Sequence, residues 1–279
     1  MTQHRFPGPP VSDDHIVFAT ELADTARHLL LHEIGSRPEG SFKPDRSFVT
    51  QTDLLIEVRL REMIHARFPG HGIIGEEHGR QNAGASHVWV LDPIDGTAQF
   101  IAGMPVYGTL IALAVEGVPI LGLIDIPAID ARWLGASGQP TKQNGEIVTV
   151  RRCQALDQAI MTNSNQDYMS PAERRALDRL RGGTATRVYG GASLNYGLLS
   201  SGRTDLALDA GQQIYDFAPF RPIVEGAGGT ITDWSGRPLT LESDGRLLGA
   251  GDAVLHRAAL EEIRALDLDA AVPDTTGAS

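Results

Sequence analysis

A single cysteine, Cys153, stands in a chain of 279 residues, so no intrachain disulfide can form, which suits a reducing compartment. Aromatic residues make up only 6% of the chain, and no block of Lys or Arg relieves a net charge of −11. Such a field repels nucleic acid and anionic lipid, and a nucleic-acid module would need a basic, aromatic surface. Long apolar runs are missing too: Leu110–Val115 and Val118–Ile126 are bounded or broken by Gly and Pro and fall short of a membrane span. Met1–Pro10 is polar and proline-rich, without the apolar stretch of a signal peptide. We therefore expect a soluble, cytoplasmic protein with no nucleic-acid or membrane partner.

What the chain does have is an ordinary globular balance, 42% hydrophobic and 21% charged, enough for one large domain or two packed subdomains. The spacing of Ile16, Ala19, Leu22, Ala23, Ala26, Leu29, Leu30 and Ile34 predicts an amphipathic helix over Asp13–Ile34, stopped by Gly35. A second helix is expected over Thr52–Phe68, ended by Pro69-Gly70. The period then changes. Gly72–Gly75 and His87–Leu91 read as buried strands, Val106–Val115 and Val118–Pro127 as a hairpin around Glu116-Gly117, and Arg132–Leu134 as a further strand. From about Val150 strands and helices alternate, with helices over Ser193–Ser201, Phe217–Glu225 and Ala253–Leu266. No repeat or long linker appears, so residues 13–149 and 150–268 are expected to be intimately packed halves.

The chemistry centres on Trp89-Val90-Leu91-Asp92-Pro93-Ile94-Asp95-Gly96-Thr97. An apolar strand delivers Asp92 to its end, and Pro93 stiffens the turn that follows. Asp95 and the Ile94 carbonyl can then point to the same place, as hard cations require. A helix starting at Gly96-Thr97 would aim backbone N–H groups at an anion. Asp, Pro and Gly also make plain turns, but further acidic groups favour a metal centre. Glu76, in Gly75-Glu76-Glu77-His78-Gly79, ends another short strand. Asp216, in Tyr215-Asp216-Phe217-Ala218-Pro219, stands where a helix would begin, a place that a simple cap also explains. His65, His71, His78 and His87 are irregularly spaced and read as surface or structural groups.

With these segments goes Lys43-Pro44-Asp45-Arg46-Ser47-Phe48-Val49-Thr50-Gln51-Thr52-Asp53, and the set, in this order, resembles the inositol monophosphatase superfamily from about Asp14 to Leu266. The resemblance implies an α/β (α+β) fold, a layered αβαβα sandwich of the inositol monophosphatase and fructose-1,6-bisphosphatase type, commonly a homodimer. It implies a magnesium-dependent phosphomonoesterase acting through metal-activated water on a small phosphate ester. Glu76, Asp92, Asp95, Asp216 and the Ile94 carbonyl match the ligands of Mg2+, two or three per site. Glu76, Asp53 and Thr97 match the groups that activate water, although Asp53 alone would read as a helix-start carboxylate. Asp95, Gly96, Thr97, Gly191, Ala192, Asp209 and Asp216 match the substrate contacts, with the Gly96-Thr97 amides on phosphate. A catalytically silent binding protein would have lost one of these groups, and none is missing.

The alcohol is read elsewhere. Gly108–Leu113, Arg132–Gly135, Tyr189–Gly191 and Tyr215–Leu239 resemble the histidinol-phosphate phosphatase branch, which puts histidinol phosphate first. Two places depart from that branch: Ala98-Gln99 where it carries a basic residue, and Ala192 where it carries an acidic one. The run Gly190-Gly191-Ala192-Ser193-Leu194-Asn195 looks more like the inositol phosphatases, so inositol 1-phosphate or another cyclitol or sugar monophosphate is the alternative.

Overall fold

The computed structural model describes residues 9–33, 39–43 and 48–266. Helix α1 (Asp13–Glu33) carries Asp13 and Asp14 in its first turn, where the helix dipole favours negative charge. Of its expected apolar stripe, Ala19, Leu22, Ala23, Ala26 and Leu30 are buried, together with Phe18, while Ile16 and Leu29 are only partly buried and the expected stop at Ile34-Gly35 lies outside the described residues. Strands β1 (Gly40–Phe42) and β2 (Phe48–Thr50) pair antiparallel and lead into α2 (Gln51–Arg67). Thr50 caps α2 and shares a capping box with Asp53.

Then come β3 (Gly72–Gly75), β4 (Gly79–Gln81), β5 (His87–Asp95), α3 (Thr97–Ala102), β6 (Gly108–Val115), β7 (Val118–Ile126), β8 (Ala131–Ala136), β9 (Lys142–Gln143) and β10 (Glu146–Ile147). The strands form one eight-stranded sheet in the order β10-β9-β8-β7-β6-β5-β3-β4. The expected hairpin closes through Glu116 (φ 48°) and Gly117 (φ 77°), two left-handed residues that match the twist of the strands they join. β5 is longer than expected. It continues through Asp95, with a register shift against β6 between Asp92 and Asp95. Pro93 is tolerated there because β3 stops pairing at Leu91 and the ladder is already irregular.

The remainder holds β11 (Ile160–Asn163), α4 (Pro171–Gly183), β12 (Thr186–Tyr189), α5 (Leu194–Ser200), β13 (Leu206–Asp209), α6 (Ile214–Phe217), α7 (Phe220–Gly226), β14 (Thr230–Thr232), β15 (Leu247–Ala250) and α8 (Ala253–Arg264). Its five-stranded sheet runs β12-β11-β13-β15-β14. The single helix expected over Phe217–Glu225 is two short ones. Pro219 lacks the N–H that would continue α6 and instead caps α7.

Five layers result. α1 and α2 cover one face of the large sheet, packing on β5, β6 and β7. α5, α6 and α7 lie between the two sheets, and α4 and α8 pack together on the outer face of the small one. The middle layer sits unusually close to the large sheet. Gly122 of β7 and Gly135 of β8 face each other in register, and a Cβ on either would overlap the backbone of Pro219 or of Pro222 and Ile223. The pair forms a slot that seats the first turn of α7.

At the edge remote from that slot three imidazoles meet. His71 stacks on His87 at 4.8 Å between ring centroids, and His15 lies 5.6 Å from His71. Trp89 Nε1 donates to His71 Nδ1 at 3.1 Å. Burial first, then His87 and His15, lower the pKa of His71 to about 4, so it packs as a neutral ring.

Candidate active site

β3 and β5 run parallel, with Gly75 opposite Leu91. The next residue of each strand is a carboxylate, so Glu76 and Asp92 emerge side by side at the same sheet end. Helix α2 holds the first of them. Buried Glu57 accepts hydrogen bonds from Glu77 N–H (2.7 Å) and His78 N–H (3.1 Å) and is itself held by Arg61 Nε at 2.7 Å. Gly75 lets this clamp close, because a Cβ there would overlap the Glu57 carboxylate. Lys43 Nζ reaches Glu76 at 2.6 Å and Glu77 at 2.7 Å.

The bulge in β5 turns Asp95 toward the second half of the chain, where its Oδ2 accepts from Ser193 N–H at 2.7 Å. Gly96 adopts φ 80° and starts α3, whose first N–H groups have no intrahelical acceptor. Asp216 arrives from α6, its Oδ2 accepting from Gln213 N–H at 2.6 Å in a capping box. It sits inside the first turn rather than at the helix start. Asp53, fully buried, accepts from Thr50 N–H (2.8 Å) and Thr50 Oγ1 (2.5 Å) on one oxygen. Its other oxygen faces Thr97 Oγ1, which also lies 3.0 Å from the Ile94 carbonyl.

Glu76, Asp92, Ile94, Asp95, Gly96, Thr97, Ala192 and Asp216 all line one cleft of about 600 Å3, a common size for a small-molecule site. Two expected substrate residues do not reach it. Gly191 packs against Asn195 between Gly190 and Ala192, which do line the wall. Asp209 lies behind Ser164. Its oxygens accept from Ser164 N–H (2.8 Å), Asn163 Nδ2 (3.1 Å), Ser164 Oγ (3.2 Å) and the Tyr196 hydroxyl (2.9 Å). Burial pushes its pKa up to about 7 against those hydrogen bonds.

The cleft is short of positive charge. Burial, then the neighbouring Glu76, Asp95 and Asp216, hold Asp92 well above the usual carboxylate range. Burial also raises Glu76, Asp95 and Asp216, against bonds from Lys43, Ser193 and Gln213 respectively. Asp92 Oδ1 is buried without a hydrogen-bond partner, a costly state for a carboxylate oxygen. Among the described residues no group of three or more Asp, Glu, His or Cys side chains is arranged to hold an ion as it stands: Lys43, Ser193 and Gln213 each occupy one oxygen of the cluster. The chemistry of the donors nonetheless fits a hard divalent cation. They are oxygens only, mutually repulsive, and include one with no partner.

Two further groups bear on the site. Glu57 lies buried among Ile56, Leu60 and Ile64 with Arg61 one turn on, and a buried acid on an apolar face signals a partner. Tyr168 enters the cleft from a short turn after β11 and carried no motif.

Comparison with known proteins places the whole chain. The chain is 42% identical over 251 residues to the bifunctional phosphatase IMPL2, chloroplastic, of Arabidopsis thaliana, covering 87% of this chain and 72% of that one. It is 35% identical to a histidinol-phosphatase of Chlorobaculum parvum, over 85% and 92% of the two chains. The structure of an inositol monophosphatase from Zymomonas mobilis superposes with a TM-score of 0.83 at 39% identity, over 90% and 98%. Residues 13–267 match one family along nearly the whole described fold, and this chain belongs to the inositol monophosphatase family.

Proposed function

We propose that this phosphatase hydrolyses histidinol phosphate with the help of magnesium bound at the cleft. The reading rests above all on Asp92: a buried carboxylate with an unpartnered oxygen, facing Glu76, Asp95 and Asp216. The histidinol-phosphatase relative supports the choice of alcohol.

In this reading Glu76, Asp92, Asp95, Asp216 and the Ile94 carbonyl hold two or three magnesium ions. Bound magnesium supplies Lewis acidity at the phosphoryl oxygens and eases loss of a proton from water. Thr97 Oγ1 takes a proton from the attacking water while passing its own to Asp53. Burial biases that carboxyl toward the protonated form, against its bonds from Thr50. As the water oxygen bonds to phosphorus, the bond to the ester oxygen breaks in line, and the departing alkoxide takes a proton from solvent water to leave as the alcohol. Amide N–H groups at Gly96 and Thr97 share the phosphate charge. Lys43 holds Glu76 and Glu77; burial opposes its charge, but the two carboxylates outweigh burial and raise its pKa.

Small Ala192 on the wall favours a second reading, a cyclitol such as inositol 1-phosphate. Phosphate release should be compared for histidinol phosphate, inositol 1-phosphate, a nucleotide 3′-phosphate and fructose 1,6-bisphosphate, each with and without magnesium. Histidinol phosphate should lead, and EDTA should abolish turnover. Preference for either of the last two esters, or Asp95→Asn within a few-fold of wild type, would overturn the proposal.

A further inference from the structure

Beyond the carboxylates, the cleft wall mixes apolar side chains, among them Phe48, Met104 and Phe220, with four carboxamides and two phenols, Tyr168 and Tyr215. Gln99, Asn165, Gln212 and Gln213 line it, and among the described residues no Lys, Arg or His does. Tyr168 lines it while leaving 55% of its own surface exposed. Its backbone is fixed from two sides. Asn165 Oδ1 accepts from Asp167 N–H at 2.9 Å and closes the turn over Gln166–Tyr168. Gly211, at φ 76°, lies so near that a Cβ there would strike the Tyr168 carbonyl. The backbone thus holds the ring at the cleft, within electrostatic reach of Asp216, Glu76 and Asp95.

We propose that Tyr168 determines the choice of alcohol, as a platform on which a flat, protonatable heteroaromatic ring stacks beside the phosphate site. This deepens the histidinol phosphate reading and rests on it. A phenol face attracts a cationic ring, and among the described residues no Lys, Arg or His in the lining repels one. The carboxamides of Asn165, Gln212 and Gln213 both donate and accept, which suits ring nitrogens in either protonation state. A cyclitol, with hydroxyls all round, gains from carboxylate acceptors. Asp209, the acid behind this wall, already has both oxygens filled by Ser164, Asn163 and Tyr196.

The test is kinetic, on the full magnesium-loaded chain, with histidinol phosphate and glycerol 2-phosphate as paired substrates. Tyr168→Leu should lower kcat/KM for histidinol phosphate about tenfold, mainly through KM, the loss expected for a cation–π contact. Glycerol 2-phosphate should change less than about twofold, and Tyr168→Phe, which keeps the ring, should retain the selectivity. Inhibition of glycerol 2-phosphate hydrolysis by free histidinol should weaken in Tyr168→Leu by a similar factor, while inhibition by inorganic phosphate stays unchanged. An equal loss on both esters, or none on either, overturns the role of Tyr168 alone. A wild-type enzyme with no preference for histidinol phosphate overturns the substrate reading and this inference together.

Discussion

Thr97 Oγ1 stands 3.3 Å from Asp53 Oδ1, a carboxylate supplied by another element and fully shut off from solvent. The separation is long for an O–H···O bond, and the Ile94 carbonyl at 3.0 Å competes for the same proton. Such contacts tighten when a reacting group arrives. The pair joins the first turn of α2 to that of α3, so a proton leaving the cleft has a path into the protein.

If that path serves the reaction, Thr97→Val should lower kcat by about 10²–10⁴-fold while KM stays within a few-fold. The change removes one oxygen and keeps the shape. Steady-state phosphate release measures it, and a variant within tenfold of wild type would exclude Thr97 from proton transfer.

Glu57→Gln tests the clamp on the Glu76 turn. The amide keeps one acceptor but loses the charge that holds Arg61 and two backbone N–H groups. Groups that support a metal ligand typically contribute 10–100-fold to affinity. The half-saturating magnesium concentration should rise by about that factor, with kcat largely restored at high magnesium. Unchanged magnesium dependence would assign Glu57 to stability only.

The stacked imidazoles predict an acid-sensitive edge. An unfolded histidine takes its proton near pH 6.5, whereas His71 resists until about pH 4. Between those values the unfolded chain binds the extra proton, so the stability held above pH 6.5 is lost as pH falls toward 4. His71→Gln, which can still accept from Trp89, should reduce the Tm loss over that range by about 2–4 °C, roughly 1 kcal/mol after allowing for solvent screening. Parallel acid limbs in variant and wild type would count against this account.

Gly122→Ala places a methyl group against Pro219 and should cost about 1–3 kcal/mol, the range for overpacking. Because α7 follows α6 closely, displacement should also weaken magnesium binding if Asp216 is a ligand, as proposed. Gly70→Ala, at a position with open space around it, is the control for both thermal melting and magnesium titration.

Much of this molecule was legible in local pattern. α1, α2, the Glu116-Gly117 hairpin and the acidic segments follow from periodicity and turn chemistry. α4 could have been found as well, since Ser170-Pro171-Ala172-Glu173 carries a capping box with Pro at its first position. Other features depend on contacts distant in sequence. Nothing near Asp209 announces that Tyr196 and Ser164 occupy its oxygens, and nothing near Tyr168 announces that Gly211 pins it at the cleft. The break between α6 and α7 was marked by Pro219, yet its reason, the glycine slot across β7 and β8, lies about a hundred residues upstream.

Strand direction has a consequence of its own. Every neighbouring pair in the large sheet is antiparallel except β3 and β5. Were β3 reversed, Glu76 would leave from the opposite margin, a strand length of about 13 Å from Asp92, too far for both to share an ion. One exception to the sheet's prevailing polarity is thus what makes two acids, sixteen positions apart along the chain, into neighbours. The path of the backbone from residue 76 to 86 matters to the site as much as the two acids it connects.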